Sequence, residues 1–476
     1  MSQAETLLTM EETLESTGGV FVLGDGNWHF SSVQTDSRLA EKDTLFVPLI
    51  GEFQDGHKYI PQAVEKGASC VFICLSNYEK NPAFFNEIHN SNPEVNFIAV
   101  ENTLTALQKA AGKYVEKFPS LIKVAVTGSS GKTTTKEILA AVLARKYRVV
   151  TNKGNLNSET GLPLSVFNIR KEHEAGVFEM GMNRENEIGE ISAVLKAHYA
   201  VVTNIGTAHI GLLGSRDNIA REKAKVFDHF DSQSTGVIPF DDDYAEFLEK
   251  QIRGKCIHYG KDTDSVKFIA DLGLKGTEFS VGKNRAVLKL PGKYNYKNAL
   301  GAIALCQELG VSDSEIAQGI NDLEPMFGRS QVIEDKYTIV QDCYNANPDS
   351  MASVLEFCSK LEVSQKIYVL GDMLELGEKS GDEHKKIGQK LASSMPDSIV
   401  LFGMAMKNAF DVVKPLVKNE LSCFYSQDFG SEQILEASSF ILNNAKDNAL
   451  ILVKASRGLS LERVITQIAE DQEVDK

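Results

Sequence analysis

The sequence predicts an α/β fold in three domains, residues 1–118, 119–327 and 328–476. Three observations carry that expectation. A chain of 476 residues is too long for one ordinary hydrophobic core. Short apolar runs alternate with helical patterns through its middle and last parts, the rhythm of parallel sheets covered by helices. Finally, the run Val124 to Thr134 passes from an apolar strand through small residues into Gly131-Lys132-Thr133-Thr134, and a helical pattern, Lys136 to Leu143, follows. That is the strand–loop–helix context of a phosphate-binding loop.

Each segment is justified by its own pattern. In the first, strands are expected at Thr44–Val47, Cys70–Leu75 and Phe97–Val100, with a polar, glycine-bearing loop at Gly51–His57. In the second, strands at Gly176–Phe178, Ala200–Ile205 and Gly236–Ile238 stand between helices such as Asn218–Phe230 and Asn298–Leu309. In the third, strands at Thr338–Gln341, Lys366–Leu370, Ser398–Phe402 and Ala449–Val453 alternate with helices at Asp349–Leu361 and Glu383–Ala392, a second open α/β sheet. The last residues, Glu470–Lys476, are polar and expected to fray.

Bulk properties narrow the function. Hydrophobic content of 42% and charged content of 24% are ordinary for a globular protein. A net charge of −15 argues against broad electrostatic binding to nucleic acid or anionic membranes. The seven cysteines (70, 74, 256, 306, 343, 358 and 423) are scattered, with no metal-site spacing, which fits a reducing compartment. Met1 to Gly19 is too acidic for a signal peptide, and no apolar run approaches the ~20 residues of a membrane span. A cytoplasmic location is expected.

The phosphate loop supplies the first chemistry. Gly128, Ser129, Ser130 and Gly131 let backbone N–H groups converge on an anion, and the next helix N-terminus adds favourable partial charge. Lys132 can reach terminal phosphates, the Thr133 hydroxyl can ligate Mg²⁺, and Thr134 extends the loop. Val126 stands where the common form of this loop has its first glycine, so a tighter turn around Gly128 is expected. A plain Gly/Ser turn before an exposed lysine would use the same residues, but not the flanking strand and helix.

Other polar groups stand just beyond apolar strands, where open α/β sheets bind ligands. Glu179 ends Val177-Phe178, and His209 follows Val201 to Ile205 by four residues. With Thr133, they could hold one or two Mg²⁺ ions over a triphosphate. Taken singly, either is as well explained by a solvated turn or a satisfied histidine. Lys223 interrupts an apolar stripe formed by Ile219, Val226, Phe227 and Phe230. It is either a snorkelling lysine or a partly buried amine, reactive toward carbon dioxide because burial disfavours its charge. Asn295 reads as a helix N-cap, and either Asn295 or Asn298 could instead read a base edge. Arg329 could stabilise a transferring phosphoryl group. Asp342 precedes a polar strand-to-helix turn, Cys343 to Pro348, which could equally be a plain capping turn.

Together these runs resemble the Mur ligase family, ATP-dependent enzymes that form amide bonds in peptidoglycan synthesis. The resemblance spans Thr35-Asp36-Ser37-Arg38, the phosphate loop, Asn155 to Gly161, Glu179-Met180-Gly181, Thr203 to His209, Asn295 to Asn298 and Gly328-Arg329. Asp342 to Met351 and Val369 to Gly377 resemble the family member that adds D-alanyl-D-alanine. The resemblance implies a first domain holding the nucleotide-sugar substrate, a central ATPase-like domain, and a Rossmann-like third domain that meets ATP and the incoming dipeptide. It implies that Ser37, Arg38, Asn155 and Asn157 contact UDP-muramoyl tripeptide. Thr133 and Glu179 would hold one Mg²⁺, with His209 and Lys223 at a second, Lys223 as N6-carboxylysine. ATP would meet the loop together with Asn295, Asn298, Arg329 and Asp342. Lys132, Lys223, His209 and Arg329 would act in catalysis. Tyr344, Asn345 and Asn347, with Lys454, Ser456 and Arg457, would face the cleft. The implied partners are small-molecule substrates, with no nucleic acid and no membrane, and the implied state is a monomer.

Overall fold

The structure, a computed structural model, describes residues 5–394, 396–416 and 423–474. It divides into two compact units. One comprises Met1–Ala125, Tyr147–Ala200 and Lys225–Ser234; the other comprises Val126–Lys146, Val201–Ala224 and Thr235–Lys476.

The first unit begins with a five-stranded sheet in the order Val20–Leu23, Asn96–Val100, Ala68–Cys74, Thr44–Phe46, Ser32–Gln34. Its first strand is antiparallel to its neighbour, and the others pair in parallel. The central strands read as continuous apolar runs because both their faces are covered. On one face Phe46, Val71, Ile73 and Phe97 pack with Ile60, Ala63, Phe85 and Ile88 from the neighbouring helices. Full burial of each large side chain contributes about 1.5–3 kcal/mol. The helix Thr103–Glu116 starts where Asn102 accepts from the Thr105 N–H at 2.9 Å, and it buries Ala106, Leu107, Ala110, Ala111 and Tyr114 at helical spacing. The only tryptophan, Trp28, is buried in this unit edge-to-face on Phe30, with ring centroids 5.7 Å apart.

A six-stranded sheet follows the order Lys255–Tyr259, Thr235–Pro239, Tyr199–Val202, Ile122–Thr127, Ala175–Glu179, Val149–Thr151. Both pairs at its edges are parallel. The strand Ile122–Thr127 leads into the phosphate loop and the helix Lys132–Leu143.

The second unit also holds a three-stranded antiparallel sheet, Val266–Asp271, Thr277–Val281 and Asn284–Leu288. The last sheet runs Gln331–Glu334, Thr338–Gln341, Leu450–Lys454, Lys366–Gly371, Ser398–Phe402, Cys423–Ser426. Its first pair is antiparallel and the rest parallel. Val369, Val400, Ile451 and Val453 pack there against Ile434, Ala437 and Ile441 of the helix Ser431–Asn444.

Three expectations need correction. The helix expected over Asn218–Phe230 is Arg216–Ala224, followed by a tight 3-10 turn at Lys225–Phe227 that buries Val226 and Phe227. The strand expected to reach Ile205 stops at Val202, because Thr203 and Asn204 spend their polar groups on the phosphate loop. The C-terminal helix, Glu462–Val474, continues through most of the stretch expected to fray; the last two residues lie outside the described ones. Among the described residues no helix is long and apolar enough to cross a membrane.

Candidate active site around the phosphate loop

The helix Lys132–Leu143 begins at Gly131, whose φ is 80°, and no side chain caps it. A helix start without a side-chain cap suits an anion. A Cβ on Gly128, where φ is 148°, would overlap the Thr203 hydroxyl, and one on Gly131 would overlap the Asn298 amide. The tight turn expected around Gly128 thus has a physical cause, and Asn298 lies directly against the loop. The Ser129 N–H donates to the Asn204 carbonyl at 3.0 Å, and the Ser130 N–H donates to the Asn204 side-chain oxygen at 2.9 Å. Thr203 Oγ1 donates to the Ser130 carbonyl at 2.5 Å. Lys132 folds back so that Nζ donates to the Gly128 carbonyl at 2.9 Å. Thr133 and Thr134 are buried.

His209 sits beside this loop in electrostatic terms. It adopts a left-handed φ of 64°, and its Nδ1 lies 2.6 Å from Oε2 of Glu375. The distance is that of a hydrogen bond, although the carboxylate stands off the ideal N–H direction. Burial holds the imidazole below its ordinary pKa; Glu375 opposes this, while the charges of Lys132 and Lys223 reinforce it. The Glu375 carboxyl is lowered, chiefly by His209, against the effect of its own burial. Lys223 is 0% exposed, with Ile219 and Phe227 of its stripe equally buried. Its ammonium does not escape to water, so the snorkelling account fails. Lysine at such depth is either counter-charged or neutral.

The turn after the strand Thr338–Gln341 reaches the same loop. Asn347 caps the helix Pro348–Lys360 by accepting from the Ser350 N–H at 2.9 Å, and its amide donates to the Ser130 hydroxyl at 3.0 Å. Asp349 accepts from the Thr207 N–H at 2.7 Å and from its hydroxyl at 2.9 Å. Asp342 accepts from the Ser330 N–H at 2.9 Å and pairs with Lys454 at 2.6 Å; Lys454 also donates to the Asn345 carbonyl at 3.1 Å. Arg329 lies over the Tyr344 ring, 4.0 Å from its centroid. Asn345 is exposed. Ser456 Oγ donates to the Ala346 carbonyl, whereas Arg457 points to Glu462. Asn295 is not the N-cap: the helix Lys293–Glu308 begins after Gly292, and the Asn295 amide donates to the Pro291 carbonyl at 2.8 Å.

The remaining predicted residues belong to the first unit. Glu179 is buried, its N–H donating to Asn152 Oδ1 at 2.9 Å and its carboxylate accepting from the Asn157 amide at 2.6 Å. Asn155 is exposed, and its carbonyl accepts from the Asn157 N–H at 2.8 Å. Ser37 is buried and donates to Gln62 at 2.7 Å. Arg38 is exposed and grips Asp36 through two nitrogens, which lowers the Asp36 carboxyl to about 2.

The structure thus gathers the loop, Asn298, His209, Lys223, Asp342 and Asn347 in one unit, and Glu179 with Asn155 and Asn157 in the other. Sequence reading missed Asn204, Asp349 and the role of Glu375. Asp349 looked like any first-turn acid, and Asn204 like strand.

Residues 29–115, 126–306 and 328–457 match, in turn, the catalytic domain of the Mur ligase family, the Mur ligase middle domain, and the glutamate ligase domain of Mur ligases. The UDP-N-acetylmuramoyl-tripeptide–D-alanyl-D-alanine ligase of Treponema pallidum is 38% identical over 460 residues, covering 96% of this chain and 98% of that one. Among solved structures, MurF from Acinetobacter baumannii aligns with a TM-score of 0.84 at 27% identity, over 98% of this chain and 99% of that one. The MurF ligase of Thermotoga maritima, in complex with ADP, aligns with a TM-score of 0.76 at 27% identity, over 94% and 98%. By the extent of these matches, on top of the loop geometry they share a chain with, this protein belongs to the Mur ligase family.

Proposed function

We propose that this chain is an ATP-dependent, ADP-forming ligase that joins D-alanyl-D-alanine to UDP-N-acetylmuramoyl-tripeptide through an acyl phosphate. The observation that carries the reading is the contact of Asn347 and Asp349 with the phosphate-loop region, at 3.0 Å to Ser130 and 2.7 Å to Thr207. It sets the turn assigned to the incoming amine beside the cradle assigned to the triphosphate. The relatives named for this reaction support the choice of substrates.

In this reading the N–H groups at the start of the helix Lys132–Leu143 hold phosphate oxygens. Lys132 exchanges the Gly128 carbonyl for the γ-phosphate, and Arg329 steadies the transferring group. A carboxylate oxygen of the tripeptide attacks the γ-phosphorus and ADP leaves. The dipeptide amine then adds to the acyl carbon, and the tetrahedral intermediate expels phosphate as the amine loses its proton. Asn295, Asn298 and Asp342 are assigned to ATP, Ser37, Arg38, Asn155 and Asn157 to the nucleotide-sugar, and Tyr344, Asn345 and Asn347 to the dipeptide.

The hydroxyl and carboxylate donors assigned to Mg²⁺ are of the type it prefers, with the His209 imidazole as a further ligand in this reading. Thr133 supplies a buried hydroxyl, Glu179 a buried carboxylate steadied by Asn157, and His209 an imidazole. The burial of Lys223 suits a residue carried as N6-carboxylysine, which turns a costly buried cation into an anionic ligand. Bound Mg²⁺ would offset the negative charge gathered on the triphosphate. The boundaries 1–118, 119–327 and 328–476, a monomeric state and a cytoplasmic location complete the reading.

Phosphate release from ATP, measured with UDP-muramoyl tripeptide and with or without D-alanyl-D-alanine, tests it. Turnover is expected only with both substrates. Turnover indifferent to the dipeptide sinks the proposal.

A further inference from the structure

We propose that Glu375 is a positioning residue for His209, so that the imidazole is set for its ligand by the segment that follows Gly328. The proposal rests on the reading of His209 as a metal ligand and adds a residue to it.

Two independent features point to Glu375. The first is the side-chain contact, 2.6 Å from Oε2 to His209 Nδ1. A carboxylate on the Nδ1 side favours the tautomer with its proton there, leaving Nε2 with the lone pair a metal requires. The second is the backbone around the pair. His209 and Glu375 both stand in the left-handed region at φ 64°, a conformation that costs residues with a Cβ and that glycine adopts freely. A chain under no functional demand would gain stability by placing glycine at either position.

The surrounding contacts separate positioning from docking. The Gly211 N–H donates to the Glu375 carbonyl at 3.1 Å, and a Cβ on Gly211 would overlap the backbone of Leu376 and Gly377. Leu376 and Met373 are buried. The backbone hydrogen bond and the close backbone approach at Gly211 therefore join the two segments without the Glu375 side chain. That leaves the carboxylate to act on the imidazole, beside the positive charge of Lys132.

The test uses Mn²⁺ as the probe, titrated into the full chain with a non-hydrolysable ATP analogue, free ion being read by electron paramagnetic resonance. His209→Ala is expected to lose one class of bound ion. Glu375→Gln and Glu375→Gly are expected to weaken that same class about tenfold, the lower end of the effect of removing such outer partners. Glu375→Gly should melt no lower than the parent, because glycine suits the left-handed backbone, so its loss of affinity cannot be unfolding. If the Glu375 variants keep parental affinity while His209→Ala loses the ion, the positioning role is wrong and the metal reading stands. If His209→Ala also keeps both ions, the metal reading falls and the positioning role with it.

Discussion

Lys454→Met is expected to destabilise the second unit by about 3–5 kcal/mol, the range for breaking a buried ion pair from one side. Lys454 is 2% exposed and its partner Asp342 15%, so neither charge is relieved by water. The charge-assisted bond to Asp342 at 2.6 Å contributes about 1.5–3 kcal/mol and the bond to the Asn345 carbonyl at 3.1 Å about 1. Methionine keeps the apolar stem, so the loss is of charge and not of volume. The double variant Asp342→Asn/Lys454→Met should recover about 0.5–3 kcal/mol relative to the sum of the single changes, since no unpaired charge then remains. Urea unfolding followed by circular dichroism, with hydrogen exchange at 450–454, measures the loss. Trp28 fluorescence reads the first unit and serves as the internal control. A loss below about 1 kcal/mol, or a double variant equal to the sum, would refute a desolvated pair.

Three further outcomes are expected. Gly131→Ala forces a side chain into a left-handed residue and onto the Asn298 amide, costing about 1–2 kcal/mol in backbone alone; calorimetry should show ATP affinity lowered at least about tenfold. Lys223→Ala should lose most ligase activity and regain part with added short-chain carboxylate, whereas unchanged turnover would leave Lys223 a packing residue. Carboxyl NMR should find Asp36 titrating at about 2 and returning to its ordinary value in Arg38→Met. Because its folded pKa is depressed, any stability from this pair is present above the ordinary carboxylate value and lost as pH falls toward about 2; its exposure and added salt keep that contribution small.

The parallel sheets were legible because strands buried on both faces are apolar from end to end, as in Phe97 to Val100 and Ile451 to Val453. The antiparallel Val266–Asp271, Thr277–Val281 and Asn284–Leu288 were not. Val266–Asp271 leaves Phe268 and Ile269 well exposed, so it shows neither alternation nor a buried run. At the site, the phosphate loop was legible because its chemistry is local in sequence. Asn204 and Asp349 escaped because their roles exist only where chain segments 74 and 142 residues apart meet. Asn295 misled for a local reason: the N-cap position is three residues earlier, at Gly292, which offers no side-chain cap.

The first unit is assembled from three stretches, the last of them Lys225–Ser234, with parts of the second threaded between. During synthesis neither unit can be completed in order. The nascent chain must carry the phosphate loop and the helix after it, unfinished, while the first unit awaits residues almost 90 positions further on. A fragment cut at Ala125 therefore lacks the strands Val149–Thr151 and Ala175–Glu179 of its own unit. Expressing such a fragment should yield an aggregation-prone chain with an open sheet edge, even though its five-stranded sheet is whole.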